Sequence, residues 1–348
     1  MKINDIFSNI IQDIYKEINL LKKTKLNYSF LINELIFLNL KIENILFDKS
    51  SKQKNPSIIY KKELILLLTR IKDIKRFKDF DKKIPVTKNH WIREKTHKTL
   101  FAKLWTNFTF DEYKKERLGR YNKRLKINNL KKFIKDKKIA DFGCGHGNFL
   151  HSCLTIGAKE CVGIDFGKNS INYAKKNSRK LRSTKKISFH YRSVYNSKLK
   201  KNYYDFAIQN GVFHHLDNEM KAYKEMYRVL KKDGYCWIYT DGGGGIRDIA
   251  WDMSQHILKS IDKEFVIQKI RSLGLTTNKE YHISDGLNAL YRHTTLDIMK
   301  NKLSKIGFKF VRQLNGGFNT DFDRPFHKDK YFKKKFGSGD LRLLFKKV

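Results

Sequence analysis

The chain has 348 residues, 40% of them apolar and 31% charged, with a formal net charge of +39. That length and apolar share supply a real core and fit one large domain, or a catalytic domain with an accessory one, so a chain without a folded interior is excluded. The positive surplus points to an anionic partner, whether nucleic acid, phosphorylated glycan or acidic membrane, although the abundance of Lys, Asn and Ile is equally what an AT-rich coding background gives.

The chain opens MKINDIFSN, with Asn4 and Asp5 early and no small-residue cleavage site. No signal peptide is expected, and the location read from this is cytoplasmic. Ile3, Phe7, Ile10, Ile14, Ile18 and Leu21 recur at helical spacing and predict a helix over 3–22. Two more are predicted over 28–47 and 58–77. DKSSKQKNP (48–56) links them, and Pro56 suits the start of the third. Residues 28–47 are the most apolar stretch, but Asn33, Glu34, Asn39, Lys41 and Glu43 interrupt them, which argues against a membrane span. Trp91, Phe101, Trp105, Phe108 and Phe110 predict a further helix and turn over 91–110, and 111–138 is dense in Lys and Arg. No internal repeat is evident. Residues 1–115 therefore read as a helical accessory region.

Beyond residue 138 short β-branched or aromatic runs alternate with helical segments. Strands are expected near 138–142, 160–165, 187–192, 203–209 and 235–240, with helices near 147–157, 168–181 and 218–231. That alternation predicts an α/β fold, a mostly parallel sheet with crossover helices. Residues 242–290 break it and read as an insertion. A helix at 294–306 and strands near 308–314 and 340–346 close a domain expected to span 116–348. Cys144, Cys153, Cys161 and Cys236 form no C-x-x-C pair and lie in or beside apolar runs, as reduced, mostly buried thiols do.

The sharpest motif is IADFGCGHGNFL (139–150). A dinucleotide fingerprint needs G-x-G-x-x-G to seat a pyrophosphate on a helix N-terminus. Here Gly143, Gly145 and Gly147 alternate, and Asp141 stands two residues ahead. A carboxylate there would repel a pyrophosphate and welcome a cationic amine. A ligand with an amino acid at one end and a nucleoside at the other fits better. ECVGIDFG (160–167) places Asp165 at the tip of the second strand, where an acid can accept hydrogen bonds from ribose hydroxyls.

With YYDFAIQNGVFHHLDN (203–218) and MYRVLKKDGYCWIYT (226–240) added, the order and spacing resemble the class I S-adenosylmethionine-dependent methyltransferases. The likeness covers 118–240, and 290–348 more weakly. It implies a Rossmann-like seven-stranded sheet and S-adenosylmethionine as cofactor. The three glycines would let backbone approach the methionine part, though Gly147 could instead permit tight helix–strand packing. Asp141 would meet the amino group, Asp165 the ribose, and Phe166 the adenine, or belong to the core. Gln209 and Asn210 would line the floor near the methyl group. Cys144 and Val194, inside these motifs, are counted with the cofactor contacts. Ser193 stands where many members carry an acid for the adenine amine, and a hydroxyl accepts more weakly than a carboxylate. Asp233 replaces the usual proline of the turn before the fifth strand.

His214 and His215 fall at the carboxyl end of a strand, where such folds place ligands. His215 is the preferred candidate base for a hydroxyl acceptor, His214 the second, and either could serve only to fix the turn. No Asn/Asp-Pro-Pro-Tyr follows the fourth strand, and no paired cysteines suit a covalent pyrimidine mechanism. His146 and His151 lack the acids that would make them a metal site, so no metal is expected. TDGGGGIRDIAWDM (240–253), with Arg247, Trp251 and His256 on a helix expected after the four glycines, reads as a substrate cap or as a plain loop and helix. Arg324 and His327 could also reach the substrate face. The favoured function is methyl transfer to a small-molecule or glycan acceptor at O or N. RNA methylation, favoured by the net charge and by 111–138, is the alternative, and a non-catalytic binding module is the third reading. Nucleic acid is a possible but not favoured partner.

Overall fold

The computed structural model describes residues 3–47, 54–74, 109–275, 277–289, 291–318, 321 and 328–348. The chain divides into two compact units: residues 1–92, 243–290 and 328–337 in one, and 93–242, 291–327 and 338–348 in the other. The segment 243–290, an insertion by sequence, thus groups with the N-terminal helices.

That first unit is helical. Its long helices are Ile3–Asn19, Lys25–Phe47 and Pro56–Ile74, joined by Ile246–Leu258, Lys263–Arg271 and Thr277–Asn288. Phe7, Ile14 and Ile18 are buried, and the Phe7 ring meets Tyr60 edge-on at 4.9 Å. Leu31, Leu35, Ile42 and Leu46 bury one side of the second helix, and Asn39 bonds across to Ser254 at 3.3 Å. No helix of the described residues is long and apolar enough to cross a membrane. The helix and turn expected over 91–110 lie, up to residue 108, outside the described residues.

The second unit is built on seven strands: β1 (Lys138–Phe142), β2 (Glu160–Asp165), β3 (Ile187–Tyr191), β4 (Tyr204–Asn210), β5 (Leu230–Asp241), β6 (Phe308–Gln313) and β7 (Asp340–Lys347). Their order is β3-β2-β1-β4-β5-β7-β6. β1 to β5 run parallel, and β7 is antiparallel to both of its neighbours. β5 is longer than the expected 235–240 because the Lys-Asp-Gly turn bulges from its first half. The register jumps from Tyr204↔Leu230 to Phe206↔Tyr235, with Asp233 left-handed at φ 63°.

Alternate residues of the parallel strands feed two cores. Ile139, Phe206, Ile208 and Trp237 join the core that also holds Phe149 and Ile171, from the helices Asn148–Thr155 and Lys168–Lys180. Ala140, Ala207, Cys236 and Ile238 join the opposite core, with Tyr223, Met226 and Met299 of Glu219–Val229 and Leu296–Ser304. Burial on both faces explains why β1 and β2 read as apolar runs without polar alternation. All four cysteines are free and buried.

Strand order reverses between β1 and β4. Connections leave those two carboxyl ends in opposite directions, which opens a crevice between them. The turns after β1 and after β4 border it.

Candidate active site

The turn after β1 carries Gly143, Gly145 and Gly147, with φ of 81°, 49° and 77°. L-residues disfavour that region, so glycine is demanded by backbone alone. The three differ in what surrounds them. A β-carbon at Gly143 would lie 2.5 Å from Val212 Cγ2, so this glycine lets the turn pack against the loop after β4. One at Gly147 would collide with the Phe189 ring, so Gly147 serves helix–strand packing. One at Gly145 would meet nothing within 4 Å. Only Gly145 presents backbone to open space.

Asp165, at the tip of β2, ties this turn down. Its Oδ2 accepts the Gly145 N–H at 2.9 Å and its Oδ1 accepts the Gly167 N–H at 2.7 Å. Burial raises its pKa, and the two backbone donors pull the other way. Each oxygen keeps acceptor capacity beyond the one bond it makes. Asp141 is nearly fully buried, and its Oδ1 has no hydrogen-bond partner. Desolvation, then the Asp165 charge, holds its pKa well above the ordinary carboxylate value. An uncompensated buried carboxylate costs several kcal/mol, on the order of 1–3 for a neutral group and more for a charge. A cationic group beside it would remove that cost.

Other expected contacts are engaged elsewhere. Cys144 turns its side chain into the core and burial pushes its thiol well up, so only its backbone faces the turn. Val194 belongs to the opposite core. Ser193 is exposed, and its Oγ accepts the Tyr195 N–H at 3.2 Å in its own turn. Gln209 is fully buried. Its amide donates to Tyr223 Oη at 3.2 Å and Tyr239 O at 3.0 Å, and its Oε1 accepts the Val212 N–H at 3.0 Å. It is a brace for the loop after β4 rather than a floor for ligand. Asn210 is likewise held between Tyr121 Oη (2.9 Å) and Trp237 Nε1 (3.1 Å). Phe166 is half-buried beside Asp165.

The loop after β4 forms a short 3₁₀ turn, Phe213–His215, with both histidines buried. Their rings lie 3.9 Å apart. Tyr291 stacks on His214 at 5.4 Å and meets His215 edge-on at 4.7 Å. Beside them, at the end of β5, Asp241 Oδ2 bonds His293 Nδ1 at 2.8 Å. His293 and Tyr291 also lie parallel, 6.2 Å apart. Sequence reasoning missed Tyr291, His293 and Asp241. The signal was a Y-x-H run, but it reaches the site only because the Gly242–Thr294 bridge brings residues 291–294 to the tip of β5.

His146 and His151 are both buried and held neutral, with pKa values pushed down to about 3 and about 4 by desolvation. His151 pairs through Nδ1 with Tyr113 Oη (2.6 Å) and through Nε2 with Ser178 Oγ (2.9 Å), which makes it a packing residue. Arg124, from the basic 111–138 stretch, is buried, and with Arg342 it grips Asp321 at 2.6 and 3.0 Å. In the helical unit Arg247 pairs with Asp248 at 3.0 Å, Trp251 meets His282, and His256 meets Tyr15. Arg324 and His327 lie outside the described residues.

The strand order, the reversal between β1 and β4, the acid-led glycine turn and the acid at the tip of β2 define a Rossmann-like domain with its ligand crevice at that reversal. Residues 134–286 match a family model described as a methyltransferase domain. The chain thus carries a methyltransferase domain there, and the sequence resemblance implies S-adenosylmethionine as its cofactor. It is 31% identical over 119 residues to the ubiquinone biosynthesis O-methyltransferase of Pelagibacter ubique, covering 34% of this chain and 48% of that protein. It is 28% identical to the demethylmenaquinone methyltransferase of Bacteroides fragilis, covering 57% and 78%. A tRNA U34 carboxymethyltransferase of Aliarcobacter butzleri is 22% identical over 60% of each chain. The chain thus spans about half the length of the first of these relatives and more of the others.

The residues present fit this cofactor. The orphaned Asp141 oxygen suits an ammonium, the open side of Gly145 suits a close-lying chain, and the spare acceptor capacity of Asp165 suits hydroxyls.

Proposed function

We propose that this protein transfers a methyl group from S-adenosylmethionine to an oxygen or nitrogen of a small-molecule or glycan acceptor, in the cytoplasm. The observation that carries the reading is the pairing of the Asp141–Gly145–Asp165 cradle with a ring-lined turn across the crevice, His214, His215 and Tyr291. Asp141 takes the ammonium of the cofactor, the Gly145 backbone lies along its methionine part, Asp165 accepts from the ribose, and Phe166 covers the adenine. The cofactor supplies an activated methyl on a sulfonium with a good leaving group.

The protein's own contribution is to align the acceptor and exclude water. An acceptor hydroxyl also has to lose a proton. His215 or His214 is placed to take it, and His293 is a third candidate because Asp241 fixes its ring. The flat rings of this cluster suit an aromatic or sugar acceptor. The names of two relatives, a ubiquinone biosynthesis O-methyltransferase and a demethylmenaquinone methyltransferase, support a small molecule. A second reading, RNA as acceptor, draws on the net charge and on the tRNA-modifying relative.

The test is a panel of quinols, phenols, sugar nucleotides and RNA, incubated with the protein and radiolabelled methyl donor. Label in a small-molecule fraction, lost in Asp165→Ala, is the expected outcome. Label confined to RNA would replace the first reading by the second.

A further inference from the structure

Residues 166–204 hold twelve lysines and arginines and neither an aspartate nor a glutamate. The whole chain has 35 acids in 348 residues, about one in ten, so a run of this length would ordinarily hold several. A coding bias toward A and T raises lysine, but it does not remove aspartate and glutamate, whose codons also accommodate A or T. Background accounts for the lysines and not for the missing acids.

The fold gathers the part of this run from 168 to 191 at one edge of the sheet. The helix Lys168–Lys180 lies against β2 and β3, and β3 is the terminal strand of the sheet. Lys168, Lys175, Lys176 and Arg179 are all exposed on that helix, Lys168, Lys175 and Arg179 at steps of seven and four that keep them on one stripe. Exposed charge continues through 182–186. Among the described residues no ion pair involves a lysine or arginine of this run, whereas Arg228, Lys231 and Lys346 in the same unit each hold an acid. Their mutual repulsion stabilises nothing in the isolated protein. Between the charges stands Tyr191, 53% exposed, with Tyr195 half-buried beyond it. No aliphatic side chain of the run is exposed. A lipid surface rewards an apolar anchor, whereas phosphates and bases use lysines and flat rings.

We infer that the β3 edge, made by the helix Lys168–Lys180, residues 182–186 and β3, docks the phosphate backbone of a polynucleotide strand. Lysine outnumbers arginine nine to three in the run, so the surface acts through point charges and reads no sequence. It lies to the far side of β2 and β1 from the histidine turn after β4, and it stands whichever acceptor is methylated.

Fluorescence anisotropy of the full chain with labelled oligouridylate and oligothymidylate tests it, across a salt series. Similar binding of both strands is expected, falling steeply with salt. Reversing Lys175, Lys176, Arg179 and Arg182 to Glu lowers low-salt affinity at least about tenfold and flattens the salt dependence by about 0.7 per lost phosphate contact. The same four changed to Gln give an intermediate loss, with S-adenosylhomocysteine affinity by calorimetry unchanged. That separates this inference from a failure of the cofactor site. A control set of equal charge change, Lys23, Lys61, Lys62 and Lys72 to Glu, costs less than about threefold. Equal losses in the two sets would reduce the effect to net charge and overturn the docking surface. So would absence of strand binding at low salt, or binding to phosphatidylserine vesicles at physiological salt where the oligonucleotides no longer bind.

Discussion

Two glycine clusters follow strand ends in this chain, and they serve opposite purposes. In the turn after β1 the protein fills the space beside Gly143 and Gly147 and leaves Gly145 open. In the four-glycine run after β5, Gly242 and Gly245 face backbone. A β-carbon at Gly242 would strike the Gly339 carbonyl, and one at Gly245 would lie 2.5 Å from both Lys335 O and Phe336 N. Gly242 and Gly245 let main chain touch main chain, and Gly145 lets something else approach it. Sequence shows both as the same residue type at the same kind of place.

The largest expected difference is in ligand binding. Gly145→Val should abolish S-adenosylmethionine binding by calorimetry, while the strained left-handed backbone costs about 1–2 kcal/mol of stability. Equal affinity in wild type and variant would remove Gly145 from the cofactor cradle. Gly245→Ala should show the reverse pattern. Backbone atoms cannot rotate aside, so about 3 kcal/mol of unfolding free energy should vanish in a urea titration, with cofactor affinity of the folded fraction kept. A wild-type urea midpoint would mean that this packing is looser than described.

Asp165→Ala should weaken cofactor binding by roughly 1.5–3 kcal/mol, and Ser193→Ala by less than about 1 kcal/mol. The carboxylate holds the turn as well as the ligand, whereas the serine hydroxyl already serves its own turn. If the serine variant proves the weaker binder, adenine and ribose are placed wrongly along β2 and β3.

The smallest effect is one of protons. Burial and the Asp165 charge raise the pKa of Asp141 in the free protein. A bound ammonium would lower it again. Below the raised value, binding therefore expels a proton and affinity climbs as pH rises, until the carboxyl ionises without help. Calorimetry in buffers of different ionisation heat should read a release of up to about one proton just below that raised value, fading as pH climbs through it, and none in Asp141→Asn. No release from the wild-type protein at any pH would leave the orphaned oxygen without this ligand.

Much of the sheet unit was legible because parallel strands buried on both faces announce themselves as short apolar runs between amphipathic helices. The observed β1, β2, β3 and β4 begin and end within a residue of the expected spans. The cradle was legible too, since acid and glycine spacing is local. Less legible was which motif residues face the ligand. Gln209 and Asn210 sit at the right depth, yet their amides are held by Tyr223, Tyr239, Tyr121 and Trp237, partners between 14 and 89 residues away. The 111–138 stretch reads only as dense in Lys and Arg, whereas Arg124 within it is buried on Asp321.

The sequence by itself determined the class of fold, the acid-led glycine turn and the acid at the tip of β2, because each rests on contacts within a strand, a turn and the next helix. Only the tertiary structure decided that Asp241 meets His293 and that Tyr291 covers the two histidines, across about fifty to eighty residues of chain. It also decided that the segment 243–290 groups with the N-terminal helices. Apolar faces carry no address: any two of matching shape can bury each other, and the choice is made by the packing of the whole chain.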